Sequence, residues 1–233
     1  MSNIRKFFND EELKNGTTWT RLAICFCIDT GSSMDEKSIE EINAGLSSFY
    51  KAIQSDDTLN SVADIAIVTF GNDGVKCTQN FTQVCEVSEP PLIIIERGEE
   101  KAQIGEAVNL SLDLLDERKK YYQKIAYEYY TPWLILMSGG HNINNGEIFE
   151  KASSRCSDMV QNKKLVVFPI GVGEKASKET LSKFSSEIPP RRLKYMKFNE
   201  FFKWLFYEPV EPVEPVFTHL PLYLNIAEWG RFD

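Results

Sequence analysis

The run Leu22-Ala23-Ile24-Cys25-Phe26-Cys27-Ile28 is apolar at every position and stops abruptly at Asp29-Thr30-Gly31-Ser32-Ser33-Met34. A strand that alternates apolar and polar residues buries one face. A strand without a polar position must be covered on both, which points to a parallel sheet held between helical layers. Trp133 to Met137 and Leu165 to Ile170 repeat the pattern, and Ala63 to Phe70 does so apart from Asp64 and Thr69; the runs end at Ser138-Gly139-Gly140, at Gly171-Val172-Gly173 and at Gly71. Helical spacing fills the intervals. Ser38 to Gln54 carries Ile39, Ile42, Leu46, Phe49 and Ile53 at steps of three and four, and Gln103 to Lys119 carries Ile104, Ala107, Val108, Leu110, Leu114 and Leu115. Weaker helical patterns run over Ile148 to Met159, Glu179 to Phe184 and Asn199 to Leu205. Gly71-Asn72-Asp73-Gly74 offers the left-handed conformations of a tight hairpin leading into Val75 to Phe81. The expected fold is α/β: a doubly wound, mostly parallel central sheet with helices on both faces and one antiparallel edge hairpin.

Near the carboxyl terminus the composition changes. Glu208-Pro209-Val210 recurs as Glu211-Pro212-Val213 and Glu214-Pro215-Val216, and proline at every third position forbids helix and favours an extended polyproline-like chain. The expected organisation is an amino-terminal extension over 1–20, one domain over 21–207, and the proline-rich repeat with its tail over 208–233. The repeat reads as a semi-rigid spacer, with a ligand for a partner's aromatic groove as the alternative. Tyr223, Ile226 and Trp229 give the last segment enough apolar surface to dock back onto the domain, and Leu92 to Ile95 reads as a covered apolar segment near the sheet edge.

Charge and cysteine usage exclude several functions. The formal net charge is −8, which argues against a nucleic-acid partner, since that affinity comes from clustered Lys and Arg on phosphates. Arg118-Lys119-Lys120 is a short basic stretch that reads as a solvated helix end. Residues 1–19 contain no apolar signal core, and no run of apolar residues is long enough to span a membrane. The five cysteines form no Cys-x-x-Cys pair; Cys25 and Cys27, two apart in a strand, point to one face as small core residues. A reducing, cytoplasmic location is expected. Gly171-Val172-Gly173-Glu174 follows a strand but leads into no unit with the acidic residue a dinucleotide loop requires. Tyr121, Tyr122, Tyr127, Tyr129, Tyr130 and Trp133 read as packing or as a partner surface.

The chemistry converges on the end of the first strand. A carboxylate and hydroxyls just beyond such a strand can gather around a hard cation, and ligands of open α/β sheets sit at the strands' carboxyl ends. Here the chain resembles the von Willebrand factor A (vWA) domain, whose metal-ion-dependent adhesion site opens with Asp-x-Ser-x-Ser. Asp29 and Ser33 hold the first and last positions, and Gly31 stands at the first serine. The family's threonine loop, Gly-Gly-Thr-Pro-Leu-Gly-x-Ala, aligns with Glu100 to Ala107 and puts Ala102 at the threonine; its Thr/Ser-Asp-Gly loop aligns with Ser138-Gly139-Gly140 and puts Gly139 at the aspartate. Only Asp29 and Ser33 of this set carry side-chain oxygens, so any Mg²⁺ would be held weakly or not at all. The two instead read as a turn and helix-capping network. Restoring Gly31→Ser, Ala102→Thr and Gly139→Asp together is expected to create a metal response if the loops keep the family's geometry.

The resemblance runs from about Arg21 to Trp229 and is closest to the bacterial TerY-like, tellurite-resistance-associated group. It rests on Ala66 to Gly71, Ile104 to Ala107, Tyr129-Tyr130-Thr131-Pro132-Trp133 and Phe201-Phe202-Lys203-Trp204-Leu205. It implies a vWA/Rossmann-like fold and a cytoplasmic, non-catalytic module of a stress-response or signalling system that binds other proteins. The expected partner face comprises Asp29, Gly31, Ser32, Ser33, Ala102, Gly139, His141 and Asn142. A weak Mg²⁺-dependent adhesion-type module is the alternative reading. A serine hydrolase using Ser32 or Ser33 with His141 and Asp29 is a distant one, since neither serine lies on a Gly-x-Ser-x-Gly elbow.

Overall fold

The computed structural model describes residues 20–96, 103–139 and 146–193, with the side chains of Thr58 and Leu193 excepted. The expectations for 1–19, Ala102, His141 and Asn142, Asn199 to Leu205, and the repeat and tail concern residues outside these ranges.

β1 (Thr20–Asp29) is central. β2 (Ala63–Gly71) flanks it in parallel on one side and β5 (Trp133–Ser138) in parallel on the other. β6 (Val166–Val172) and the short β7 (Arg191–Leu193) extend the sheet beyond β5, and β3 (Gly74–Gln83) closes the opposite edge antiparallel to β2. The order is β3-β2-β1-β5-β6-β7, with β4 (Glu128–Tyr129) pairing the start of β1. β4 and β5 form an interrupted strand. Pro132, which has no N–H to donate, falls in the gap, and pairing with β1 resumes at Trp133.

Alternate residues of β1 divide the core. Leu22, Ile24, Phe26 and Ile28 pack with Ile39, Ile42, Leu46, Phe49 and Ile53 of α1 (Glu36–Gln54). Ala23, Cys25 and Cys27 face Ala107, Val108, Leu112 and Leu115 of α3 (Ile104–Lys124) and Phe149, Ala152 and Cys156 of α4 (Glu147–Gln161). Helices therefore cover both faces. The chain is doubly wound α/β with one antiparallel edge pair. α5 (Lys178–Ser182) overlaps the weak helical pattern at Glu179 to Phe184, whereas α2 (Asp57–Val62), β4 and β7 carry no clear sequence signal, since each is too short for periodicity to show.

Three local expectations need correction. In the β2–β3 turn only Gly74 takes a left-handed φ, +101°, whereas Asn72 and Asp73 keep negative φ. The glycine after the two loop residues supplies the twist, as in type I hairpins with a bulge. The Leu92 to Ile95 segment is covered on one side only, through Ile93 and Ile95. Leu92 and Ile94 are 70% and 67% exposed, while Ile93 is buried and clamped at 2.8 Å by both ends of the Asn43 amide on α1.

Arg118 is no solvated helix end either. α3 continues to Lys124, and Arg118 turns inward to the fully buried Asp64, donating from Nε at 3.1 Å and Nη2 at 2.7 Å to Oδ2. Tyr122 donates to the same oxygen, and Arg21 Nη1 lies 3.9 Å from Oδ1 while donating to the Ser61 carbonyl at 2.6 Å. Burial and the Asp64 charge push the Tyr122 hydroxyl up, so it remains a donor. This ionic cluster lies near the amino ends of β1 and β2.

Candidate functional site

Strand register assembles the site at the opposite, carboxyl end. Asp29 pairs with Phe70, so the Gly71–Gly74 turn lies directly beside the loop that follows Asp29. Ile28 pairs with Met137, which sets Ser138 and Gly139 against Asp29 on the other side. Neighbouring parallel strands must end together here, because their connections are crossovers made beyond the sheet.

Asp29 is 5% exposed and is consumed by its own chain. Oδ1 accepts from the Gly31 N–H at 2.9 Å. Oδ2 accepts from Ser138 Oγ at 3.1 Å, the Gly139 N–H at 3.2 Å and Ser33 Oγ at 3.3 Å. Burial pushes the Asp29 carboxyl above its ordinary value, and these bonds oppose the rise. The helix cap belongs to another residue: Asp35 Oδ1 accepts from the Ser38 N–H at 2.6 Å at the start of α1. Asp29 and Ser33 thus form the turn network but not the cap.

Gly31 and Gly139 are equally constrained. A Cβ on Gly31 would stand 3.2 Å from Asn72 Oδ1 and 3.3 Å from Asp29 Oδ1. A Cβ on Gly139 would stand 2.5 Å from Met34 Sδ, 3.2 Å from the Val172 carbonyl and 3.3 Å from the Ser33 carbonyl. The buried Met34 thioether occupies the place where a side chain at 139 would begin. The Asp29 carboxylate already accepts four donors, the Met34 sulfur stands against Gly139, and among the described residues no group of three His, Cys, Asp or Glu could hold a metal. Gly139→Asp should destabilise the fold by about 1–3 kcal/mol through overpacking, with no recovery in millimolar Mg²⁺ when melting is followed by circular dichroism.

Around this locked centre the surface is polar and open. Ser32 is exposed, and its N–H donates to Asn72 Oδ1 at 3.3 Å. Asn72 Nδ2 and Gln103 Oε1 are shielded from solvent and have no hydrogen-bond partner among the described residues. Gln103 stands at the N-cap of α3 without capping it, its Oε1 3.7 Å from where a Cβ on Gly74 would lie. The Glu96 N–H donates to the Thr30 carbonyl at 2.7 Å, and Glu96 Oε2 accepts from the Asp73 N–H at 2.7 Å, tying the Leu92–Ile94 segment to the same rim. Sequence reading missed Asn72, Gln103, Glu96 and Met34 as members of this end. The parallel pairing of β1 with β2 was the signal that would have brought in Asn72.

A parallel sheet layered by helices, with a carboxylate-centred loop cluster at its carboxyl end, defines an α/β module of the type that carries ligands on that edge. The chain belongs to the von Willebrand factor type A domain family, whose model matches residues 23–203. No curated protein matches it. Among solved structures it is similar to the SpRpn10 VWA domain at 13% identity and TM-score 0.50, covering 77% of this chain and 93% of that one. It is also similar to the vWF domain of the type V pili tip protein Mfa5 from Porphyromonas gingivalis, at 10% identity and TM-score 0.54, covering 78% and 94%. The pilus adhesin SpaC from Lactobacillus rhamnosus GG matches at 9% identity and TM-score 0.56, covering 79% of this chain but only 30% of the adhesin. These likenesses concern the fold. Domains of this family commonly bind proteins and are typically non-catalytic, and no described helix is long and apolar enough to cross a membrane.

Proposed function

We propose that this chain is a non-catalytic protein-interaction module that recognises its partner through the carboxyl-end face without a metal ion. The observation that carries this reading is the state of Asp29, whose oxygens accept four hydrogen bonds from Gly31, Ser33, Ser138 and Gly139. A cation would have to displace these donors. The exposed Leu92 and Ile94 belong to the segment that Glu96 ties to Thr30 and Asp73, and they offer apolar contact to a partner that meets the polar rim, the mixture protein interfaces use. Ala102, His141 and Asn142 belong to the same proposed face through the family alignment. The motifs from Ala66 to Gly71 and from Tyr129 to Trp133 support assignment to the TerY-like group, and with it a cytoplasmic role in a bacterial stress-response system. The Ser33 hydroxyl is committed to Asp29, an arrangement unlike a nucleophile held by histidine.

The test is quantitative capture with wild type, Ser32→Arg and Ile94→Asp as matched baits, each with and without EDTA. Partners enriched by wild type should be lost from both variants and retained in EDTA. Loss in EDTA would favour the Mg²⁺-dependent alternative. Retention by both variants, with loss on truncation after Leu205, would move the binding element to the repeat and tail.

A further inference from the structure

The helical layer on one face of the sheet holds a groove between α3 and α4, of about 560 Å³, that the reading above does not use. Leu115, Pro132 and Met159 form its apolar floor, and Lys119, Lys151 and Lys164 stand around it. Arg155 also lines it, but its charge is answered by Asp113 at 2.6 Å and Asp116 at 2.9 Å on α3. The three lysines form no ion pair with the described residues, and Asp158 is the one lining carboxylate not engaged by Arg155. In a chain of net charge −8 this is a locally cationic trough with an oily base.

We propose that this groove is the docking site for the chain's own Glu-Pro-Val repeat, residues 208–216. The chemistry is complementary in both respects. In a polyproline helix, with about three residues per turn and ~3.1 Å rise, Glu208, Glu211 and Glu214 align along one edge about 9 Å apart, and Val210, Val213 and Val216 along another. One edge faces the lysines while another meets Leu115, Pro132 and Met159. From Lys151 to Met159 the groove follows α4 for about 12 Å at ~1.5 Å per residue, room for two successive glutamates of the repeat. Proline limits the freedom lost on docking, because its ring fixes φ at about −65° before docking as well as after.

The chain can reach. β7 ends at Leu193, paired with Val172 at the carboxyl end of β6, whereas Pro132 and Lys164 precede the starts of β5 and β6. The drop along β6 is about 23 Å at ~3.3 Å per residue. Residues 194–207 extend to about 46 Å. This docking would hold the tail along the outer side of the α3–α4 layer, apart from the Asp29 cluster.

Zero-length carbodiimide coupling of carboxylates to amines in the full chain, read by peptide mass spectrometry, tests the assignment. The repeat should couple to Lys119, Lys151 and Lys164 at least tenfold more than to the exposed Lys51 and Lys178, and high salt should reduce this. In the double variant Lys119→Glu with Lys164→Glu, shown by circular dichroism to be folded, coupling to the remaining Lys151 should fall at least fivefold. Equal coupling to all exposed lysines, or unchanged coupling to Lys151 in the variant, overturns the proposal. A mixture of isotopically light and heavy chains should give unmixed products; predominantly mixed products would assign the groove to a second copy and overturn docking in cis.

Discussion

Asp64→Ala should be the most damaging single substitution in the described residues outside the apolar core, costing about 3–5 kcal/mol. Asp64 is fully buried on β2 and receives Arg118 through two nitrogens, with Tyr122 on the same oxygen and Arg21 nearby. Removing it strands the Arg118 guanidinium and the Tyr122 hydroxyl in a place that water reaches poorly and takes the nearby countercharge from Arg21, which keeps the Ser61 carbonyl. The Arg118 guanidinium also lies over the Tyr121 and Tyr122 rings, at 4.9 and 5.2 Å, so it cannot swing out without losing those contacts. Tyr122→Phe removes one donor and leaves the ion pair, and should cost about 1–2 kcal/mol. Urea unfolding of both variants checks this. A loss below about 1 kcal/mol for Asp64→Ala would mean that the arginines find solvent and that the cluster is a surface feature.

That cluster also marks where sequence reading stops. The β1, β2, β5 and β6 cores were legible because a strand buried on both faces has few polar positions to confuse the pattern, and α1 and α3 because their stripes are long. Asp64 breaks its run by a single residue, and nothing local says that the arginine meeting it lies far along the chain on α3. Pairing of this kind is a property of packing. The site shows the same division. Asp29, Ser33 and Ser138 could be placed at one edge because parallel strands end together. Which donors would close around Asp29 depended on two turns and on the Met34 side chain, whose sulfur stands against Gly139. A glycine in place of a carboxylate reads in sequence as an absence. In the structure its space is already taken.

Asp29→Ala should lower stability by about 3 kcal/mol and do so equally with and without Mg²⁺. The Gly31 and Gly139 N–H groups lose their acceptor in a buried setting, at about 1–3 kcal/mol each, while the Ser33 and Ser138 hydroxyls can rotate to other partners. For a chain of this size the loss corresponds to a melting temperature lower by roughly 6–12 °C. Millimolar Mg²⁺ acting on a site with a millimolar dissociation constant would add only about 0.4 kcal/mol to wild type. The pH dependence has a definite sign. Because burial raises the native carboxyl above its ordinary 3.8, folding favours the neutral form, so this group's contribution to stability is greatest below 3.8 and declines as pH rises through the native value. That slope should vanish in Asp29→Ala. Calorimetric scans of both proteins across acidic pH, each with Mg²⁺ and with EDTA, measure the cost, the slope and the metal response together. A rise of several degrees with Mg²⁺ in wild type that is missing from Asp29→Ala would show that the cation displaces the four donors, and would restore metal-dependent recognition at this face.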